Sequence, residues 1–319
     1  MTDISVVIVT YQSAGVIRRC IESCLGQARQ VIVVDNASSD GTAGIVESYP
    51  RVELIASTEN LGFSGGVNRG AAAAQSDVIL LLNPDASLVS GLEILRQSAL
   101  RYGAAGGRLL DSNGDLQRGF SIRRFPTALS LCCEILGCNR LFPGNPVNRR
   151  YRCLDLDENQ PAMVEQPAGA LLAFRRSIWE QLGGFDERFH PAWFEDVDFC
   201  KRLLDNGFGI RFEPAAAARH EGGHAARQLH WSTRERYWYG SLLKYAGKHL
   251  SRTGLAVVCL AVMAGAVPRF VIGMIRLRSM EVLAVYATVF RLAGRYLLHG
   301  DGGGQSPPRK NTQASIHGS

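Results

Sequence analysis

Glu195, Asp196 and Asp198 place three carboxylates within four positions, with Phe189, Trp193 and Phe194 before them and Phe199 after. Val197, Cys200, Leu203 and Leu204 recur at three and four, and Asn206-Gly207 follows, so the acids open a predicted helix. A helix N-terminus favours the ionised carboxylate. Aromatic neighbours desolvate it and push its pKa toward general-base range. The plainer alternative is an N-cap with a solvated acidic turn. Asp85, in Asn83-Pro84-Asp85, suits a hard divalent cation bridging a diphosphate; the alternative is an Asx-turn. Asp35 ends an apolar run, where a buried acid needs a partner such as a nucleobase imide or a ribose hydroxyl. An N-cap is the alternative there, although Asn36 or Ser38 could serve alone. His220-Glu221-Gly222-Gly223-His224 matches the HExxH pattern of zinc peptidases. That chemistry needs both histidines on one face of a stable helix. Two adjacent glycines cost about 2 kcal/mol of helix propensity, and Pro214 stands upstream. A single His220 in a loop, completing a metal site, is the better expectation.

These residues need a scaffold, and the pattern supplies one. Ile4–Tyr11, too apolar on both sides for a one-faced strand, and Val31–Val34 read as buried strands, and Val52–Ala56 and Val78–Leu82 as a third and a fourth strand. Helices are predicted over about Ala14–Gln27, to about Ser48, and from the glycine-rich Gly62–Gly70 stretch onward. Repeated β-α units of this length predict a parallel, right-handed αβα sandwich. Ligands in such sheets bind at the carboxyl ends of the strands. Thr10-Tyr11, Asp35-Asn36 and Asn83-Pro84-Asp85 all fall there. The glycines after the third strand would let backbone approach a ligand, or would serve tight helix–sheet packing. No GxGxxG follows the first strand, which disfavours a dinucleotide-binding dehydrogenase. Residues 110–165 read as a strand near Leu116–Ile122 and a long irregular loop. Further strands are predicted over Leu171–Phe174 and Ile210–Phe212, with a short helix over Ser177–Leu182.

The chain has 319 residues, 46% hydrophobic and 20% charged, with a formal net charge of +6. Its basic residues are unevenly placed: residues 226–300 hold eleven Arg or Lys against Glu235 and Glu281. Gly254–Val267 is fourteen residues without a charge, and Pro268-Arg269 should stop it. Gly254–Ile275 is long enough to cross a membrane, but its unbroken part is not. Aromatic and basic neighbours suit a membrane interface instead; a helical cap packed on the catalytic domain is the alternative. Residues 301–319 read as a disordered tail. Eight cysteines in a chain of this size predict free thiols rather than a disulfide scaffold. Nothing in the first residues reads as a secretion signal.

Taken together, Val9-Thr10-Tyr11, Val34–Ser38, Asn60–Phe63 through Asn68–Gly70, Leu82–Asp85, Gly184–Asp186, Glu195–Asp198 and Arg219–Gly223 resemble glycosyltransferase family two, especially its bacterial rhamnosyltransferase-like members. The resemblance implies a GT-A fold, a Rossmann-like α/β sandwich with a mostly parallel sheet. It implies inverting transfer of a sugar from a nucleotide-diphospho-sugar, with dTDP-rhamnose the expected donor. By that resemblance Thr10, Tyr11, Asp35, Asn36, Gly62, Asn68, Asn83 and Asp85 bind the donor. Asp85 and His220 hold Mg²⁺ or Mn²⁺, and Asp196 is the catalytic base. Trp193, Glu195 and Asp198 are expected on the acceptor side. One departure is that the DxD-type motif reads Asn83-Pro84-Asp85, with its first acid replaced. The expected organisation is a catalytic domain over 1–225, a helical membrane-associating segment over 226–300, and the tail. The expected acceptor is a lipid-linked glycan at the cytoplasmic face of the cell membrane, an anionic surface; nucleic acid is not an expected partner. The competing readings are a non-catalytic sugar-nucleotide or lipid-binding module of this fold and, remotely, the HExxH peptidase.

Overall fold

The computed structural model describes residues 1–223 and 229–300. His224 and the predicted tail 301–319 lie outside the described residues. From the N-terminus, β1 (Thr2–Thr10), α1 (Ile17–Cys24), β2 (Ala28–Asp35), α2 (Thr42–Glu47), β3 (Val52–Ala56), α3 (Gly62–Ala73) and β4 (Val78–Leu82) alternate as the pattern predicts. The four strands pair in parallel in the order β3-β2-β1-β4. Val6 pairs with Val31 on one side and Leu80 on the other, so β1 is covered on every side and carries no polar alternation. The register sets Thr10 beside Asp35 and Asp35 beside Ala56, giving one carboxyl edge.

Residues 86–110, unassigned from the sequence, form β5 (Ala86–Ser90), α4 (Leu92–Tyr102) and β6 (Gly103–Leu110). The strand expected over Leu116–Ile122 reduces to β7 (Ile122–Arg123), with Leu116 making a lone bridge to Leu110. The expected irregular loop contains α5 (Ala128–Ile135), α6 (Cys138–Leu141) and α7 (Pro146–Tyr151). Thr127 and Asn145 cap α5 and α7 by accepting from backbone N–H groups three residues on. Such short helices leave little periodicity to read.

Past β8 (Ala162–Met163) and β9 (Gln166–Pro167), β10 (Leu171–Arg175) inserts antiparallel between β4 and β6. Next come α8 (Arg176–Gln181), α9 (Glu195–Asp205) and β11 (Gly209–His220). The expected last strand ended at Phe212. β11 instead runs to His220, parallel to β6 and antiparallel to β5. A register shift between Glu213 and Ala217 accommodates Pro214, which cannot donate to the ladder.

Two apolar layers cover the sheet. Ile4, Val6 and Ile8 belong to a cluster with residues of α1 and α4. Val7 and Val9 belong to another, with α3 and the aromatic set Phe174, Phe185 and Phe199. A Cβ on Gly66 would collide with Val9 Cγ1, and one on Gly70 with Val7 Cγ1. Tight helix–sheet packing therefore accounts for these two glycines. Gly70→Ala is expected to cost about 1–3 kcal/mol through overpacking, read as a lower thermal midpoint with unchanged secondary structure.

A third cluster joins α5 to α10 (Trp231–His249), α11 (Arg252–Leu277) and α12 (Met280–His299). Phe189, Phe194 and Val197 belong to it, so part of the aromatic fence packs toward α10. Pro268 does not stop the apolar stretch: α11 runs through it for 26 residues. Proline in a helix interior costs about 3 kcal/mol, offset here by the burial of Leu255, Val258, Cys259, Val262 and Ala266. Among the described residues α11 is the one helix long and apolar enough to cross a membrane, and 39% of its most apolar stretch is buried in the protein. Leu260, Val267, Val271, Ile272 and Ile275 lie exposed on it. All eight cysteines are free.

Candidate active site

Asp196 occupies the second position of α9, where N–H groups point at it. One carboxylate oxygen accepts from Gly169 N at 2.9 Å and the other from Val197 N at 2.8 Å. Burial raises its pKa above the ordinary carboxylate value, against the lowering pull of those two N–H groups and of the Arg123 charge. The residue as a whole is half-buried rather than sealed. The result is an ionisable oxygen pair held rigidly and made more basic, which suits proton acceptance. The simple N-cap reading fails, because the cap is Phe194, with φ of +69° and no side-chain hydrogen bond. Trp193 is also left-handed, at φ +77°; two adjacent bulky residues there mark strain at the helix entry.

Asp85 and His220, 135 positions apart, meet because β11 reaches His220 and pairs it with Ala86 of β5. His220 thus ends a strand rather than lying in a loop. Its Nε2 faces Asp85 Oδ1 at 3.4 Å, too long for a good hydrogen bond, and has no hydrogen-bond partner although buried. Gln117 donates from Nε2 to the His220 carbonyl at 2.7 Å, which turns its Oε1 toward His220 Nδ1 at 3.2 Å. Nδ1 then donates to Gln117, and in the neutral ring Nε2 presents a lone pair to a carboxylate oxygen. Phe120 stacks on the ring, 5.4 Å between centroids. An imidazole lone pair opposite a carboxylate fits a divalent cation completed by diphosphate oxygens and water. Among the described residues there is no cluster of three or more acidic, His or Cys ligands, so within them this pair is what the protein offers a cation. Gly222 and Gly223 have φ of +74° and +71°, so His220–Gly223 is not helical and the HExxH peptidase reading is overturned.

The two halves are linked by one backbone segment. Gly169 N donates to Asp196, and the next residue, Ala170, accepts from Asn83 N at 3.2 Å. At the neighbouring edge Asp35 is satisfied by Thr10 Oγ1 at 2.8 Å and by the Ser38 hydroxyl and N–H. It shapes the turn after β2 and is not an N-cap, since α2 is capped by Gly41. Asn36 donates to Gly62 O, and its buried Oδ1 is left without a partner. Tyr11 follows directly at this edge, half-buried.

Several expected site residues have other work. Asn68 spends its amide on Phe185 N and O, Glu187 and Trp179, anchoring the Gly184–Glu187 turn rather than a nucleotide. Gly62, at φ +72°, packs so close to His190 and Pro191 that a Cβ there would collide with them, so this packing and its positive φ require glycine. Glu195 is buried rather than open to an acceptor, and burial beside Asp196 pushes its pKa well up. Asp198 is fully buried, 2.8 Å from Arg202, 2.7 Å from His249 and 2.6 Å from Lys248. Lys248 also reaches Asp186 at 2.7 Å. Asp198 therefore fastens α10 to α9 and is not an acceptor contact. Burial alone would raise its pKa, but His249, Arg202 and Lys248 bring it below the usual value. A carboxylate whose folded pKa lies below the unfolded one adds stability at neutral pH and loses it as pH falls through the folded value. His249→Ala is expected to cost about 1–3 kcal/mol at pH 7, with the gap in thermal midpoint closing once Asp198 is protonated. Gln117, Phe120, Arg123 and Gly169 carried no motif and were not legible from the sequence.

Among known proteins, the description "Glycosyl transferase family 2" matches residues 5–140 and "Glycosyl transferase family group 2" matches residues 149–297. The chain is 32% identical over 246 residues to N-acetylglucosaminyl-diphospho-decaprenol L-rhamnosyltransferase of Mycobacterium tuberculosis (strain ATCC 25618 / H37Rv), covering 70% of this chain and 78% of that one. It is 24% identical over 246 residues to the O-antigen chain rhamnosyltransferase WbaN of Salmonella anatum, covering 72% and 69%. Its fold is similar to that of GalNAc-T7 crystallised with UDP, GalNAc and Mn2+, with a TM-score of 0.51 and 17% identity over 68% of this chain and 43% of the other.

Proposed function

Because the chain belongs to glycosyltransferase family 2, with a GT-A fold and rhamnosyltransferase relatives, we propose that it moves L-rhamnose from dTDP-rhamnose onto a lipid-linked glycan with inversion. It is a glycosyltransferase; a non-catalytic binding module would leave the tuned Asp196 without a purpose. The observation that carries the mechanism is the Gly169-Ala170 bridge, which ties Asp196 to the turn bearing Asp85. Asp196 takes the proton from an acceptor hydroxyl as that oxygen attacks the anomeric carbon opposite the leaving diphosphate. Asp85 and His220 would hold Mg²⁺ or Mn²⁺, which when bound neutralises charge on the diphosphate. Thr10, Tyr11, Asp35 and Asn36 line the donor end, where the unpaired Asn36 Oδ1 can accept from a nucleobase or sugar donor. The donor and acceptor choice draws on the relative that uses a decaprenol-linked diphosphosugar.

We take residues 1–225 as the catalytic part and 226–300, which contains α10, α11 and α12, as the C-terminal part. The C-terminal part packs on the catalytic part through α10 and one face of α11, and α11 leaves other apolar side chains exposed. That arrangement favours a monotopic attachment to the cytoplasmic leaflet over a span. A panel of nucleotide-sugars scored by nucleoside diphosphate release tests the donor: release from dTDP-rhamnose above all others is expected, and a preference for another sugar overturns it. Alkaline carbonate should extract the protein from membranes at least in part; complete resistance would mean that α11 spans.

A further inference from the structure

We propose that an arginine-lined pocket between α6, α10, α11 and α12 binds the phosphate head of a membrane lipid. The cavity of ≈ 470 Å³ is lined by Arg140, Arg234, Arg269 and Arg276 around the single acid Glu235, with Trp231 and Tyr286 among its walls. It is large enough for a glycerophosphate headgroup. Arg140, Arg234 and Arg276 are exposed, and among the described residues none of their guanidinium groups makes a hydrogen bond or an ion pair; Arg140 and Arg234 donate only from the backbone, to Gly137 and His230. Arg269 is steadied by a 2.8 Å bond from Nη1 to Gly265 O, which leaves the rest of its guanidinium for a ligand. Glu281, the other acid of this segment, faces His230 at 3.4 Å. Four planar cations converging on one cavity with one carboxylate between them match phosphate, which arginine forks bind two oxygens at a time.

The surroundings choose a lipid over a soluble anion. Ile272 and Leu277 line the same cavity and belong to the exposed apolar row Val271, Ile272, Ile275, Leu277 and Met280. A phosphate held by the arginines would have its hydrocarbon chains beside that row, and Trp231 would lie at the polar–apolar boundary. The site rests on the membrane-surface reading above but adds a defined headgroup position, distinct from the Asp196 cleft.

The test uses the full chain and vesicle flotation, with phosphatidylcholine alone and with phosphatidylcholine plus phosphatidylglycerol. The variant Arg140→Gln/Arg234→Gln/Arg276→Gln changes only exposed side chains. The control Arg278→Gln/Arg291→Gln/Arg295→Gln removes the same charge from the helical segment outside the pocket. The pocket variant is expected to lose at least about tenfold more affinity for anionic vesicles than the control, because directed charge-assisted bonds exceed diffuse attraction. Thermal unfolding of both variants separates this loss from misfolding. Equal losses in the two variants would mean diffuse electrostatics and overturn the site. Native protein that binds no vesicle would overturn the membrane reading and the site together. Binding to both vesicle types, unaltered in the pocket variant, would keep the membrane reading and overturn the site alone. Calorimetry with glycerol 3-phosphate addresses the soluble source: arginine-dependent binding of it, with vesicle affinity unaltered in the pocket variant, would make the site one for a free phosphate and overturn the lipid assignment.

Discussion

Asp196→Asn is expected to lower turnover by about 100-fold or more while leaving donor affinity unchanged. The amide keeps the shape of the carboxylate and can still accept from Gly169 N, which the structure places 2.9 Å away. What it cannot do is take a proton. Donor affinity, measured by calorimetry with the nucleotide-sugar, separates this loss from a collapsed site. The pH profile gives a second reading. Burial raises the Asp196 pKa, so the ionised base is lost as pH falls through a value above the ordinary carboxylate range. The acid limb of kcat should therefore lie above that range. Asp198→Asn cannot mimic the effect by the same route, because Asp198 is sealed between α9 and α10. It should lower stability first. Near-normal turnover in Asp196→Asn would remove Asp196 from its role.

Asp85→Ala and chelation by EDTA are each expected to reduce nucleoside diphosphate release by about 100-fold or more, since charge on a leaving diphosphate is costly to leave unneutralised. The buried lone pair of His220 opposite Asp85 motivates this. Donor titrations with and without Mn²⁺ provide the direct reading. The native protein should bind donor more tightly with the ion, and Asp85→Ala should show no such difference. His220→Ala should weaken the same coupling while Asp85 remains. Full activity in excess EDTA would end the metal role for this pair. The replacement of the first acid of the motif by Asn83 fits a site with fewer charged ligands, because a neutral amide oxygen is a weaker ligand for a hard cation than a carboxylate.

The sequence by itself determined the first half of the sheet and the kind of chemistry. Runs such as Ile4–Val9 can be read because a strand buried on both faces must be apolar at every position. Asp85 and Asp196 could be marked because a carboxylate at the end of an apolar strand, or one fenced by aromatics, is costly to desolvate without a purpose. Three things were decided only by tertiary structure. The meeting of His220 with Asp85 depends on β11 passing Pro214 through a register shift, which no local pattern reports. The roles of Asp196 and Asp198 look alike two positions apart; they diverge because one faces Gly169 and the other faces Lys248 and His249, fifty residues on. The glycines Gly66 and Gly70 read equally as ligand room or as packing until Val9 and Val7 fill the space beside them. Likewise, Pro268 signals a stop only to an isolated helix. Packing against α5, α10 and α12 supplies the energy that lets α11 continue, and that energy comes from residues distant in sequence.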